Sequence, residues 1–169
     1  MGMICAYYRV DDQLIDQFIE APQKADLWII QYNEMVEQTG EMDRIYDLDR
    51  AWDIAQFLLK EADASEEKIL SNVIRGARFF KRRQKKINNP RYIKSEEVKK
   101  IWTALKNINE EALKSGWNKQ KMRDEQVYRH DWLTRKRSWD YIMQHIDTIK
   151  KAFYEATTNN EGLICQIEL

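Results

Sequence analysis

Apolar residues recur at helical spacing along much of the chain. The longest such pattern lies near the C-terminal end, and its 3, 4, 7 spacing is that of a buried helical stripe formed by Trp139, Ile142, Met143, Ile146, Ile149 and Phe153. It predicts a long helix from about Lys136 to Ala156, which we expect to be the central packing helix. A second stripe follows Ser95, which is expected to cap its helix, and consists of Val98, Ile101, Trp102, Leu105 and Ile108.

Further helices are predicted from capping residues and breakers. Asp11 with Asp12 suits the start of a helix that Pro22 ends, and residues 24–37 form the next helix, which Gly40 closes. Leu48, Trp52, Ala55 and Leu59 recur at helical spacing behind Asp47 and Asp49, whose charges favour a helix N-terminus. Ser65 is expected to cap a helix with Ile69, Leu70 and Val73, and Asn109 to cap a short one.

Both ends of the chain read as strands. Residues 3–10 are rich in aromatic and other strand-forming residues, and at the C-terminus Cys165, Ile167 and Leu169 alternate with Gln166 and Glu168. Two isolated strands would leave backbone donors unpaired, so residues 3–8 and 163–168 are expected to pair. The predicted fold is therefore α+β and mainly helical, with the terminal strands paired in a small sheet packed by several helices.

Composition favours one packed domain over residues 1–169. Apolar residues make up 43% of the chain and aromatic residues 11%, which is typical of a globular core. No secretory signal and no run of about eighteen apolar residues is visible, so we expect a cytoplasmic protein that does not enter a membrane. Cys5 and Cys165, in apolar segments, are expected to be buried and reduced.

Charge is unevenly distributed although the formal net charge is zero. Residues 11–63 carry fourteen acidic and four basic side chains, whereas residues 64–100 carry four acidic and twelve basic side chains. Such a distribution either steers a charged partner or is neutralised when the two segments meet on one folded surface.

The basic segment 75–86 is the strongest indication of nucleic-acid binding. Its cations could neutralise phosphates, and its two phenylalanines, Phe79 and Phe80, could stack on a base. The candidate residues are Arg78, Lys81, Arg82, Arg83, Lys85 and Lys86. A neutral overall charge and the lack of a recognised nucleic-acid motif argue against this interpretation, and the phenylalanines could simply anchor the segment to the core.

Catalytic and cofactor motifs are missing from the sequence. It contains no phosphate loop, nucleophile elbow, paired-cysteine motif or dinucleotide fingerprint, so no cofactor, no metal and no catalytic residue is assigned. The two histidines, His130 and His145, lack a nucleophile or metal-ligand pattern around them. Asp47, Asp49 and Asp53 do not have calcium-loop spacing, and helix capping explains them more simply. The interpretation leans against an enzyme.

One set of residues combines directional hydrogen bonding with large apolar area, as binding sites do. The candidate binding residues are Asp47, Arg50, Trp52, Arg91 and Tyr92. An arginine that ties a loop to a helix between buried aromatic residues would produce the same sequence, and we favour that structural interpretation.

Four segments together resemble the bacterial YfbM-like family, a domain of unknown function (1877). They are residues 1–4, residues 48–52, residues 90–93, and Val127 with Tyr128. The resemblance spans nearly the whole chain and implies an α+β fold, but no reaction. This sequence has Gln56 where the family often has histidine.

Three functions follow as hypotheses. The leading hypothesis is a non-enzymatic cytosolic module that binds a protein, because catalytic constellations are missing and the charge is dipolar. In one form of this hypothesis the bound protein is a toxin, which the module neutralises. The first alternative is nucleic-acid binding through segment 75–86. The second is an enzyme of unknown reaction at the region of Asp47, Arg50 and Arg91.

Overall fold

The computed structural model describes residues 2–81, 86–134 and 137–169, which form one antiparallel sheet with helices on both faces. The strands are β1 (Ile4–Val10), β2 (Ile45–Asp49), β3 (Arg78–Phe79), β4 (Arg91–Ile93) and β5 (Gly162–Glu168). The helices are α1 (Asp12–Glu20), α2 (Gln23–Thr39), α3 (Trp52–Ala62), α4 (Ser95–Leu105), α5 (Glu110–Ser115), α6 (Lys119–Asp124) and α7 (Ser138–Thr158). The predicted class, α+β and mainly helical, is confirmed.

The two terminal strands are neighbours in the sheet, whose order is β2-β1-β5-β4-β3. They pair antiparallel over their full length, from Ile4 opposite Glu168 to Val10 opposite Gly162. This confirms the predicted pairing, which satisfies the backbone donors and acceptors of both strands. The ends of the chain therefore form the centre of the sheet.

Alternation along β1 divides the core into two layers because successive side chains of a strand point to opposite faces. Cys5 and Tyr7 belong to a large inner core with the apolar faces of α3, α4 and α7. Tyr8 and Val10 belong to a smaller outer core with residues of α1 and α2. We call these two sides the inner and outer faces of the sheet.

The prediction of a helix N-terminus at Asp47 and Asp49 was wrong. Both residues lie in β2, which pairs with β1, and α3 begins only at Trp52 without a capping side chain. Leu48 fits either element, because it is the fourth residue before Trp52 and also alternates with Asp47 and Asp49. Pairing with β1 decided in favour of the strand, since it satisfies the backbone groups of β2.

The helix predicted after Ser65 is only a short 3₁₀ turn, Ile69–Asn72. The carboxylate of Asp63 accepts hydrogen bonds from the Ser65 N–H, the Ser65 hydroxyl and the Leu70 N–H, at 2.9, 2.6 and 2.9 Å. These bonds hold the chain in a compact turn, so Ser65 donates to Asp63 instead of capping a helix.

The other predicted helices are present with small shifts. Asp11 caps α1 by accepting the Leu14 N–H, Gly40 ends α2 with φ of 73°, and the long helix starts at Ser138. Ser95 begins α4, but its N–H and hydroxyl both donate to the distant Asp12, at 2.9 and 2.6 Å. No helix in the described ranges is long and apolar enough to cross a membrane.

Candidate functional site

A groove lies on the outer face of the sheet, between β1 and the C-terminal half of α2. Its volume is about 250 Å³, and its apolar lining includes Ile4, Ala6, Val36, Met42 and Ile45. Ile4 and Met42 are 37% and 58% exposed, so apolar surface there is open to solvent. We call this feature the outer groove.

Three carboxylates from three different elements line the outer groove: Glu37 of α2, Asp47 of β2 and Glu168 of β5. Among the described residues that line the groove there is no lysine, arginine or histidine. In the described part of the chain none of the three carboxylates forms an ion pair with a basic side chain. The outer groove therefore has an apolar floor and a negatively charged rim.

Tyr8 lines the groove and is largely buried. Burial raises the pKa of Tyr8 to about 12, and the charges of Glu168 and Asp47 add to the increase, although a hydrogen bond to Asn33 opposes it. Its hydroxyl donates to the Asn33 Oδ1 atom at 3.1 Å. This contact ties β1 to α2 at one wall of the groove.

The outer groove lies next to the edge of the sheet. Strand β2 is the outermost strand on this side, and within the described ranges no further strand pairs with its outer edge. Unpaired strand edges offer backbone donors and acceptors to an extended partner segment.

A second cavity, of about 300 Å³, lies between the turn after β2 and the start of α7. It is lined by Asp49, Arg50, Trp132, Arg137, Ser138 and Tyr141. The Tyr141 hydroxyl donates to the Asp49 Oδ2 atom at 2.5 Å, which joins α7 to the end of β2. The structure therefore places Arg50, one of the binding candidates, here and not in the outer groove.

Trp52 is fully buried and stacks on Tyr128 with ring centroids 6.0 Å apart. The guanidinium of Arg75 lies 5.3 Å from the centroid of the Trp52 ring. Arg75 also forms an ion pair with the buried Asp53, a residue that the sequence analysis considered only as a capping or cation-binding carboxylate. Trp52 is therefore enclosed by its neighbours and lines neither the outer groove nor the second cavity.

Gln56 is also buried, and both ends of its amide are used. Its Nε2 donates to the Leu70 carbonyl at 2.9 Å, and its Oε1 accepts from the Ile74 and Arg75 N–H groups at 2.7 and 3.2 Å. This side chain links α3 to the 3₁₀ turn and to the segment that follows it.

Arg91 and Tyr92 are adjacent in β4 and therefore point to opposite faces of the sheet. Tyr92 packs in the outer core, whereas Arg91 is buried on the inner face with its guanidinium 4.3 Å from the centroid of the Phe79 ring. Burial lowers the pKa of Arg91, although the thiols of Cys5 and Cys165 oppose the decrease. The binding candidates do not converge on one surface, since the structure disperses them over several environments.

The basic candidates are partly engaged in ion pairs. Lys81 pairs with Asp26, and the strongly exposed Arg78 lies 4.0 Å from Glu97. Lys86 is exposed, and Phe80 belongs to the outer core. Arg82, Arg83 and Lys85 lie outside the described residues.

Both histidines contact a backbone carbonyl through one ring nitrogen. The Nδ1 atoms of His130 and His145 contact the carbonyls of Val127 and Tyr141, at 3.0 and 2.7 Å. In the described ranges no three His, Cys, Asp or Glu side chains are arranged to hold a metal ion.

Four residues that line the two cavities were not candidates from the sequence: Glu37, Glu168, Trp132 and Tyr141. Glu168 was visible only as a polar position in an alternating strand, and Glu37 as one acid of a mixed helix. Nothing in their spacing indicates that α2, β2 and β5 bring such side chains to one groove.

The sequence matches, over residues 1–166, the family described as Domain of unknown function (DUF1877). None of the curated proteins matches the chain. Among solved structures, the crystal structure of YfbM, a protein of unknown function from Escherichia coli, is similar at a TM-score of 0.65 and 13% identity, covering 98% of this chain and 99% of that one. At this identity the likeness concerns the fold alone. The chain belongs to the DUF1877 family of YfbM-like domains.

Proposed function

We propose that this chain is a protein-binding module, and that its outer groove holds a basic segment of a partner protein. The observation that carries the proposal is the combination of an apolar floor with three carboxylates and no basic lining residue. Lysine and arginine side chains match this arrangement, because their aliphatic stems pack on apolar surface while their charged ends reach carboxylates.

The surroundings of the groove strengthen the same preference. Residues 11–63, which include α1, α2, β2 and α3, carry ten more acidic than basic side chains. Asp16, Asp26 and Asp53 are paired with Lys94, Lys81 and Arg75, and the acidic side chains that remain attract a basic partner at long range. The unpaired edge of β2 offers main-chain hydrogen bonds to a segment that extends beyond the groove.

The partner that we propose is a toxin with a basic active surface. A toxin that acts on a polyanion needs such a surface, and a carboxylate-lined groove would neutralise its charge and cover it at the same time. In this form the module inhibits by occupying a surface and carries out no reaction of its own.

The first test uses a short peptide of alternating Lys and Leu, with an equally long peptide of alternating Glu and Leu as its counterpart. Binding is measured by calorimetry near 0.15 M salt, where long-range attraction is screened beyond about 8 Å. We expect the basic peptide to bind and the acidic peptide not to bind. The combined variant Glu37→Gln, Asp47→Asn, Glu168→Gln should weaken binding at least about tenfold.

The matched control is Glu66→Gln, Glu67→Gln, Glu111→Gln, which changes the net charge equally at exposed positions away from the groove. It should change the affinity by less than about twofold, since the remaining attraction is screened. Equal weakening in both triple variants would show that only net charge matters and would refute the proposal.

The partner is tested by isolating the protein from its own cells at low salt, with the groove variant and the control variant in parallel. A basic partner recovered with the control but not with the groove variant supports the proposal. Recovery of the same proteins with both variants contradicts it.

The two alternative functions have less support. Two cations of segment 75–86 are engaged with Asp53 and Asp26, which lowers the charge available for phosphates. An enzyme at Asp47, Arg50 and Arg91 would need these side chains to face one substrate, whereas they lie in the outer groove, the second cavity and the inner core.

A further inference from the structure

The second cavity has its own charge and shape and shares no lining residue with the outer groove. Its volume of about 300 Å³ is at the lower end of the range of small-molecule pockets, which suits a ligand with a single ring. It lies where α7 begins, next to the turn between β2 and α3.

Positive charge predominates around this cavity. Arg50 and Arg137 both line it, and within the described residues neither forms an ion pair. The buried Nε atom of Arg50 has no hydrogen-bond partner there. A third guanidinium, that of Arg129, lies 5.0 Å from the centroid of the Trp132 ring. A bound anion would give the unpaired guanidinium groups of Arg50 and Arg137 a counter-charge.

Among the described lining residues the one acid, Asp49, is already engaged in a hydrogen bond. Its carboxylate accepts the Tyr141 hydroxyl, and its N–H donates to Asp47 Oδ1 at 2.7 Å. Asp49 has a φ of 41°, a left-handed conformation that costs a non-glycine residue about 1 kcal/mol or more. This backbone conformation places the Asp49 carboxylate against Tyr141. The described lining thus contains one acidic side chain and two arginines.

The remaining walls are aromatic. Trp132 and Tyr141 meet edge to face, with their ring centroids 5.7 Å apart. Arg137, at the N-cap of the 21-residue helix α7, makes no side-chain capping hydrogen bond, and Asp140 in the first turn offsets the partial positive charge of the helix N-terminus.

From the two arginines and the aromatic walls, we propose that the second cavity binds a small aromatic anion, a molecule with one flat ring and one carboxylate or phosphate group. The ring packs against the wall that Trp132 and Tyr141 form together, while the anionic group is bound by Arg50 and Arg137. Arginine suits both kinds of anion because its planar donors match two oxygens at once.

Binding is tested by calorimetry with benzoate and phenyl phosphate as probes and with benzamide as a neutral molecule of similar shape. We expect at least one of the two anions to bind about tenfold or more tightly than benzamide. The anion that binds more tightly shows whether the ligand carries a carboxylate or a phosphate group. No saturable heat with either anion up to about 10 mM overturns the proposal, as does equally tight binding of benzamide.

The variant Arg137→Gln removes an exposed cation of the lining, so it should preserve the fold and weaken anion binding about tenfold. The variant Arg50→Gln should have the same effect where its melting curve shows a folded protein. A matched control is the exposed Arg123→Gln, outside this cavity, which should change the affinity by less than about twofold. Equal effects of Arg137→Gln and Arg123→Gln would contradict the proposal.

A second readout follows the ring. Trp132 lies in the cavity wall, so ligand binding should change the tryptophan fluorescence of the wild-type protein and leave that of Trp132→Phe nearly unchanged. A fluorescence change that persists in Trp132→Phe would place the anion elsewhere and overturn the assignment.

Discussion

Arg75 binds the buried carboxylate of Asp53 through two hydrogen bonds, from Nε to Oδ1 and from Nη2 to Oδ2, each 2.5 Å long. The same carboxylate accepts the Tyr128 N–H at 2.7 Å. Asp53 therefore joins α3 to two segments that are 22 and 75 residues away in the sequence. It is a structural centre that holds Trp52 and Tyr128 stacked beside it.

We predict that Asp53→Ala lowers the free energy of unfolding by about 2–3 kcal/mol. The change leaves the Tyr128 N–H without its acceptor and Arg75 without its counter-charge. The loss should stay below that of a fully buried ion pair because the Arg75 side chain is 48% exposed and retains access to water. Urea unfolding followed by circular dichroism measures the change.

A double-mutant cycle with Arg75→Ala isolates the ion pair from other effects of each substitution. The sum of the stability losses in the two single variants should exceed the loss in the double variant by about 1 kcal/mol or more. Strictly additive losses would mean that the contact contributes nothing to stability.

Asp63 makes stability depend on pH in the acidic range. Burial alone would raise its pKa, but hydrogen bonds from the Ser65 hydroxyl and from the Leu70 and Ser65 N–H groups outweigh burial and lower it. The folded pKa thus lies below the unfolded value of about 3.9. The stabilisation is present above that value and is lost as pH falls through the folded pKa.

We predict that Asp63→Asn costs about 1–2 kcal/mol at pH 7, and that this difference from the wild type shrinks below about pH 4. Unfolding free energies measured in urea between pH 7 and pH 2.5 test both statements. A difference that stays constant over this range would contradict the role of the charged carboxylate.

Gly162, at the start of β5, has no room for a side chain. An added Cβ atom would lie 2.4 Å from Ile15 Cδ1 and 2.7 Å from the Ile93 carbonyl oxygen. We predict that Gly162→Ala destabilises the protein by about 1–3 kcal/mol, since a strand and a helix must move apart. Thermal unfolding measures the change.

Gly40→Ala is the matched control for Gly162→Ala. Its Cβ would meet open space, so the cost of about 1 kcal/mol comes only from the positive φ of 73°. Rescue of Gly162→Ala by Ile15→Val would identify the steric cause, whereas an unchanged loss would exclude Ile15 as the obstacle.

The two cysteines are buried neighbours whose Sγ atoms lie 3.6 Å apart. Burial raises the pKa of Cys5, and the neighbouring Cys165 adds to the increase. We predict that iodoacetamide at pH 8 labels the native protein roughly 100-fold more slowly than the urea-unfolded protein, because the thiolate is the reactive form. Mass spectrometry of quenched samples follows the labelling, and similar native and unfolded rates would contradict the burial of both thiols.

The elements with strong local signals could be predicted from the sequence. The stripe from Trp139 to Phe153 repeats over several turns, Asp11 and Gly40 have the chemistry that helix ends require, and the alternation at residues 165–169 is that of a half-buried strand. Each of these signals depends on residues a few positions apart, so the chain carries it without reference to the fold. The pairing of the terminal strands followed because unpaired strands are unstable.

The tertiary structure alone decided the rest. Leu48 fits a helix or a strand by its neighbours, and pairing with β1 made it a strand residue. The outer groove brings Glu37 and Asp47 together with Glu168, which lies more than 120 residues further along the chain, and the cavity beside α7 collects Arg50 and Arg137 in the same way. Spacing along the chain carries only local information, whereas these sites depend on which strands pair and how the helices pack against them.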